Sequence, residues 1–122
     1  MYIRVAYQGE PGAYSEQAAL DFLGPNIESV PCRAFEDVFS LVSERKCQYG
    51  LIPVENSLAG SIHRNYDLML EHDLHIIGEY NLRVRHCLLA LPGVSIEDIQ
   101  RVHSHPQALA QCDKNLKQLG VE

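Results

Sequence analysis

Residues 53–67 have the sequence Pro53-Val54-Glu55-Asn56-Ser57-Leu58-Ala59-Gly60-Ser61-Ile62-His63-Arg64-Asn65-Tyr66-Asp67, and the organisation of the chain follows from this segment. A short apolar run at 49–52 precedes it and is typical of a strand. Ile62, Tyr66 and Leu70 recur at four-residue intervals, which predicts a helix with one apolar face. The polar residues between strand and helix predict a turn, with Ser61 as the N-cap of the helix.

A turn of this kind can bind an anion, because it directs free backbone N–H groups and the positive end of a helix towards one point. Asn56, Ser57 and Ser61 can add side-chain hydrogen bonds to a carboxylate or a phosphate. Ser, Asn and Gly also form loops that only cap a helix. The composition of the turn by itself slightly favours that simpler interpretation.

The first half of the chain alternates strand and helix patterns. Strands are predicted at 2–7, 27–32 and 48–54, and helices at 13–23 and from Phe35 onwards. This order predicts an α/β fold with a parallel sheet and helices on both faces. Ligands of such sheets bind at the carboxyl ends of the strands. The loops predicted at those ends are 8–12, 31–33 and 55–61, so the turn has the position of a binding site.

Residues 74–91 form an extended pattern that is too long for one ordinary strand. We expect two strands with a crossing at 78–81. Arg83 and Arg85 alternate with apolar residues and therefore share one face. That face is either solvated or a basic lining for an anionic ligand.

A second candidate for anion binding lies near the end of the chain. Residues 101–104 resemble a short strand, and Pro106 suits the first position of a helix because its missing N–H costs nothing there. His103-Ser104-His105-Pro106-Gln107 thus repeats the order of strand, polar turn and helix. Two such turns suit a small molecule with two carboxylates. A competing hypothesis makes His103 or His105 a general base or metal ligand, whereas the simpler expectation buries one of them and exposes the other.

Composition limits the class of protein. The chain has 122 residues and a formal net charge of −6, which suits one domain or two small lobes and argues against nucleic-acid binding. No segment has the apolar length of a membrane span, and residues 1–7 resemble a strand rather than a signal peptide. The six histidines lack partners at familiar metal-ligand spacings, so no metal site is expected. The four cysteines are predicted to be buried free thiols in a reducing cytoplasm.

Three motifs together resemble the prephenate dehydratase family, whose motifs the arogenate dehydratases share. They are Val5–Ser15, Pro53–Ser57 with Gly60–Ile62, and Ser104–Cys112. The resemblance implies a two-lobed fold like that of type II periplasmic binding proteins, with the active site in the cleft. It also implies decarboxylating dehydration of prephenate to phenylpyruvate in phenylalanine biosynthesis, without a cofactor. Arogenate, the related substrate, gives phenylalanine directly.

The resemblance assigns roles to individual residues. It implies that Glu55 and Asn56 are catalytic residues of the cleft, and that Ser104 and Gln111 are catalytic residues of the opposite lobe. Loss of the ring hydroxyl needs a general acid, and the charge of the departing carboxyl group needs stabilisation in a dry cleft. The implied substrate-binding residues are Ser57, Gly60, Ser61 and His105.

One departure from the family is clear in the sequence. The family's Thr-Arg-Phe signature carries the proton-donating threonine, and this chain contains no threonine. Without this threonine, we expect the chain to be a fragment that is inactive alone. We also expect a first lobe at 1–79 and an incomplete second lobe at 80–122. An incomplete lobe exposes a strand edge and apolar surface, which predicts a homo-oligomer. The alternative function is a two-lobed module that binds small dicarboxylates without chemistry.

Overall fold

A computed structural model of the chain describes residues 2–56 and 60–121. These residues divide into two compact units, Met1–Arg83 and Val84–Glu122. The strands of the first unit are β1 (Ile3–Gln8), β2 (Ile27–Cys32), β3 (Tyr49–Leu51), β4 (Glu55–Asn56) and β5 (Gly60–Ser61). Its helices are α1 (Tyr14–Leu23), α2 (Phe35–Ser43) and α3 (His63–Glu71). The second unit contains a 3-10 helix (Ile96–Asp98), α4 (Pro106–Gln111) and α5 (Asp113–Leu119).

The first unit is built on a parallel three-stranded sheet in which β1 lies between β2 and β3. The central residues of β1, Val5, Ala6 and Tyr7, are fully buried. The predicted α/β class with a parallel sheet is therefore confirmed. Gly50 of β3 allows α2 to approach the sheet closely, because a Cβ at this position would lie 2.8 Å from Cγ1 of Val38.

The core of this unit contains two of the four thiols. Cys32 and Cys47 are buried with Ala6 and Val38, and burial raises the pKa of both thiols. The prediction of buried free thiols is confirmed for this pair. It is wrong for Cys87, which is exposed because residues 81–91 have almost no packing around them.

Helix α3 differs from its prediction in two ways. It begins at His63 with Ile62 as its N-cap, so the prediction of Ser61 as N-cap is wrong. Ser61 is instead paired with Glu55 in an antiparallel ladder, which places it before the helix. The predicted apolar face is also wrong, because Leu70 is 88% exposed while Leu68 is 1% exposed.

The extended patterns after α3 form no strands among the described residues, so the strands predicted within 74–91 and at 101–104 are wrong. A strand needs a hydrogen-bonded neighbour as well as a suitable sequence. Within this stretch, Tyr80 contacts two residues of α1. Its ring packs on Phe22 at a centroid distance of 5.9 Å, and its hydroxyl donates to Asp21 Oδ2 at 3.2 Å.

The strand predicted at 48–54 is shorter than expected, because β3 ends at Leu51. Pro53 has no backbone N–H to donate to a ladder, which explains why regular pairing stops before it.

The second unit is sparsely packed, since none of its described residues is buried. Pro106 is nevertheless the first residue of α4, as predicted. Ser95 N donates to Asp98 Oδ2 at 3.1 Å at the start of the 3-10 helix. No described helix of either unit is long and apolar enough to cross a membrane.

The face of α3 can be tested with a matched pair of substitutions. Leu68→Ala should lower the free energy of unfolding by about 2–5 kcal/mol, because it removes a buried side chain from the core. Leu70→Ala in the same helix should change it by less than about 0.5 kcal/mol. Urea denaturation measures both, and equal losses would contradict the observed helix orientation.

Candidate functional site

Four of the predicted site residues lie together in a short antiparallel ladder. In this β4–β5 pair, Glu55 is opposite Ser61 and Asn56 is opposite Gly60. Gly60 has a φ of +77°, a conformation that favours glycine. The fifth predicted residue of this turn, Ser57, lies outside the described residues.

The ladder separates these residues onto two faces. Neighbouring residues of a strand point to opposite sides, so the side chains of Glu55 and Asn56 cannot both face one ligand from the same side. Glu55 and Ser61 are exposed, whereas Asn56 and Gly60 are half-buried. Asn56 therefore lies on the more enclosed side of the β4–β5 pair.

Two hydrogen bonds close the base of this ladder. The backbone N–H of Ile62 donates to Val54 O at 2.9 Å, and Nδ2 of Asn65 donates to Pro53 O at 2.6 Å. Both bonds thus lie at the open end of the β4–β5 pair, next to the start of α3. The sequence pattern did not predict this second bond, because it depends on Asn65 facing the interior of the unit.

A second loop at the carboxyl ends of the strands is fixed by Glu16, which the sequence analysis did not identify. Its carboxylate accepts hydrogen bonds from Gly12 N at 2.9 Å and from Ser29 Oγ at 2.7 Å. The hydroxyl of the buried Tyr7 donates to the same carboxylate at 3.3 Å. An acidic residue in the first turn after a glycine-rich loop was the available signal.

These contacts change two pKa values in opposite directions. The Ser29 hydroxyl, followed by the Gly12 amide, lowers the pKa of Glu16. Burial, followed by the charge of Glu16, raises the pKa of Tyr7. Glu16 is therefore a carboxylate, and Tyr7 a neutral hydrogen-bond donor, at neutral pH.

The remaining predicted residues, Ser104, His105 and Gln111, belong to the second unit. His105 is the N-cap of α4, and its Nδ1 accepts a hydrogen bond from Gln107 N at 3.2 Å. This bond occupies Nδ1, which makes His105 a structural cap here. His103 and His105 are both exposed, so the expectation that one of them is buried is wrong: the six residues of α4 are too few to cover either ring.

Gln111 has a partner that its sequence neighbourhood does not indicate. Nε2 of His86 lies 2.5 Å from Oε1 of Gln111, which fixes the orientation of the glutamine amide. The two residues are 25 positions apart, and no local pattern connects them. Ser104 and the two arginines of the extended segment, Arg83 and Arg85, are exposed.

The described residues contain no group of three or more His, Cys, Asp and Glu side chains that could hold a metal ion. The β4–β5 pair carries the amide of Asn56, the hydroxyl of Ser61 and the carboxylate of Glu55. Such groups can bind the carboxylates and hydroxyls of a small polar molecule.

Comparison with known proteins gives a consistent result. A family model described as prephenate dehydratase matches residues 5–122. The chain is 59% identical over 119 residues to arogenate dehydratase/prephenate dehydratase 2, chloroplastic, of Arabidopsis thaliana, covering 98% of this chain and 31% of the relative. It is equally similar to arogenate dehydratase 2 of Petunia hybrida, of which it covers 30%. The chain thus spans less than a third of the length of these relatives.

Two solved structures share the fold. One, described as a novel type of quorum quenching acylase, has a TM-score of 0.83 and 37% identity, with 98% of this chain and 43% of that chain covered. The other is prephenate dehydratase of Arthrobacter aurescens in complex with L-Phe. Its TM-score is 0.70 at 23% identity, with 95% of this chain and 39% of that chain covered. At this identity the second comparison supports the fold alone.

The predicted cytoplasmic location is wrong. Relatives from Arabidopsis thaliana that are 59% and 58% identical to the chain are named as chloroplastic. Thiols that remain free in the structure do not distinguish between these compartments.

The contacts of Glu16 predict a pH dependence of stability. Because its pKa is lowered from 4.5 in the folded chain, its contribution is present above the pKa of the unfolded chain and is lost as the pH falls through the folded value. In Glu16→Gln, the free energy of unfolding should therefore fall less between about pH 5 and pH 2 than it does in the unsubstituted chain. Ser29→Ala, which removes the largest cause of the shift, should raise the acid midpoint of unfolding. Urea titrations across this pH range measure both effects, and identical acid profiles for all three proteins would exclude this role for Glu16.

Proposed function

This chain belongs to the prephenate dehydratase family, and we propose that it contributes to the active site of a lyase acting on prephenate or arogenate. The observation that carries this proposal is the 59% identity to an arogenate/prephenate dehydratase over 98% of the chain. The reaction removes carbon dioxide and water, giving phenylpyruvate from prephenate or phenylalanine from arogenate. The chloroplastic relatives support a plastid location for this step.

The geometry of the β4–β5 pair suits such a substrate. Asn56 lies on the half-buried side, where a carboxamide N–H can donate to a substrate carboxylate with reduced competition from water. Gly60, which is opposite Asn56, leaves space beside it for a ligand. We assign binding to this side, and the family resemblance adds Ser57 and Ser61 to the binding residues. Glu55 acts from the other side of the ladder, where its carboxylate meets a different part of the site.

The other proposed site residues lie in the second unit. Gln111 presents an amide whose orientation His86 fixes, and Ser104 offers a hydroxyl. His105 contributes to binding through the start of α4, which it caps. The units Met1–Arg83 and Val84–Glu122 then correspond to the first lobe and part of the second lobe of a two-lobed fold. The similarity in fold to a solved prephenate dehydratase supports this assignment.

We expect the 122-residue chain to bind substrate without turnover, since it contains no threonine to donate the proton. Calorimetric titration with prephenate and with arogenate measures binding, and absorbance and chromatography detect phenylpyruvate and phenylalanine. Asn56→Ala should weaken binding by about tenfold through loss of a hydrogen bond to a charged group. Asn26→Ala, an exposed asparagine at the other end of the sheet, should leave it unchanged within about twofold.

Each alternative gives a different result in this experiment. Absence of binding to both ligands contradicts the proposed site, as does an equal effect of the two asparagine substitutions. Equal affinity for succinate indicates the general dicarboxylate-binding module. Product formation places the general acid within these 122 residues and contradicts only the expected inactivity.

An acylase is the second candidate function, because a quorum quenching acylase shares the fold at 37% identity. Ser43 Oγ lies 3.1 Å from Nδ1 of His72, which is the kind of pair that activates a serine nucleophile. Hydrolysis of an acyl amide that is lost in Ser43→Ala, together with no binding of prephenate or arogenate, would favour this function over the lyase.

We also propose that the chain self-associates. Within 73–91, a segment without strand pairing among the described residues, large apolar side chains such as Leu89 and Leu91 are exposed. Exposed apolar residues on an extended segment favour association with another chain.

Sedimentation velocity tests this proposal with matched variants. The unsubstituted chain should sediment as a dimer or larger species at micromolar concentration. Leu89→Lys should shift it towards the monomer, whereas Leu70→Lys, at a position with the same 88% exposure, should not. A monomeric unsubstituted chain would refute self-association.

A further inference from the structure

Asn65 is the only buried polar residue among those that the structure describes, and it lies in the first turn of α3. Its side chain is 0% exposed, and its Nδ2 donates to Pro53 O at 2.6 Å. Pro53 lies two residues before Glu55, between the end of β3 and the start of β4. The contact therefore joins the helix to the segment that leads into the predicted site.

The same open end of the β4–β5 pair is also closed by a backbone hydrogen bond. Ile62 N donates to Val54 O at 2.9 Å, directly before α3 begins. The helix itself is anchored independently by Leu68, which is buried, and by an ion pair of 2.7 Å between Arg64 and Glu36 of α2. The helix holds the β4–β5 pair through the hydrogen bonds at this open end and through the short chain connection from Ser61 to His63.

The side-chain oxygen of Asn65 helps to explain why an asparagine, and not an apolar residue, occupies this position. Oδ1 of Asn65 is buried and has no hydrogen-bond partner among the described residues. A buried acceptor without a donor lowers stability, and a leucine, with the same branched shape, would avoid this cost. Packing alone therefore does not explain an asparagine here, whereas the bond to Pro53 O does.

We propose that Asn65 is a positioning residue that fixes the β4–β5 pair on α3 and so sets the position of Asn56. Its effect is exerted through Pro53 and not through contact with a ligand. The consequence for ligand binding rests on the proposed function, but the consequence for the ladder does not.

The test is Asn65→Leu in the 122-residue chain, which keeps the branched shape and the number of side-chain heavy atoms and removes the bond to Pro53 together with Oδ1. Amide hydrogen exchange at Ile62, taken relative to exchange of the β1 amides, reports local opening at the base of the ladder. We expect this ratio to rise by about tenfold, and the affinity for prephenate or arogenate to fall by about tenfold, with little loss of thermal stability.

Val38→Ala is the matched control, since it removes an equally buried side chain from α2 and leaves α3 unchanged in sequence. It should lower the melting temperature but leave the exchange ratio and the affinity within about twofold of the unsubstituted chain. If Asn65→Leu does not fold, Asn65→Ala provides the same ratio. An exchange ratio within about twofold of the unsubstituted chain in the asparagine variant would overturn the proposal. If the unsubstituted chain binds neither ligand, the proposed function fails while the exchange ratio still decides the role of Asn65.

Discussion

The parallel pairing of β1 with a strand on each side is the constraint on which the first unit depends. Because β1 has two neighbours, its backbone groups are satisfied within the sheet and its side chains Val5, Ala6 and Tyr7 are removed from solvent. All three strands then end at the same edge. The loop after β1 and the segment after β3 are brought to this edge by strand pairing, and their own sequences decide only the local details.

Two polar contacts convert this edge into an ordered surface. Glu16 joins the glycine-containing loop after β1 to Ser29 of β2, and Asn65 joins the segment after β3 to α3. Both side chains come from the first turn of a helix, where the helix has already been positioned by its apolar contacts. The apolar core thus fixes the helices, and the helices fix the loops through single hydrogen bonds. Because the core positions the helices, small polar residues can hold the loops at this edge of the sheet in a defined arrangement near solvent.

The parts of the fold that depend on local sequence were predictable. The bounds of β2 and the start of α4 at Pro106 are as expected, because periodicity and proline geometry are local properties. The buried face of α3 was not predictable in this way. Its apolar stripe at four-residue spacing is exposed, since the bond of Asn65 to Pro53 and the burial of Leu68 determine which side faces inwards. The strands predicted after residue 73 are absent from the described residues for a related reason. A strand forms only where a second segment pairs with it, and the sequence of one segment does not specify that partner.

The candidate site, like the fold, was predictable from the sequence only in part. Glu55, Asn56, Gly60 and Ser61 were identified from a local motif and are brought together by the structure. Their distribution over two faces was not predicted, because it depends on the pairing of β4 with β5 in a stretch that was expected to be a turn. The contact between His86 and Gln111 was not predicted because it joins residues 25 positions apart.

The distribution of the cysteines has a consequence for oxidation chemistry. Cysteine sulfur reacts with peroxides as the thiolate, and burial favours the protonated form of Cys32 and Cys47 and limits access to them. The exposed Cys87 lies in the extended segment, so the first oxidative modification is directed there and away from the sheet. An electrophilic label on Cys87 would therefore leave the sheet intact and report whether another chain covers this segment.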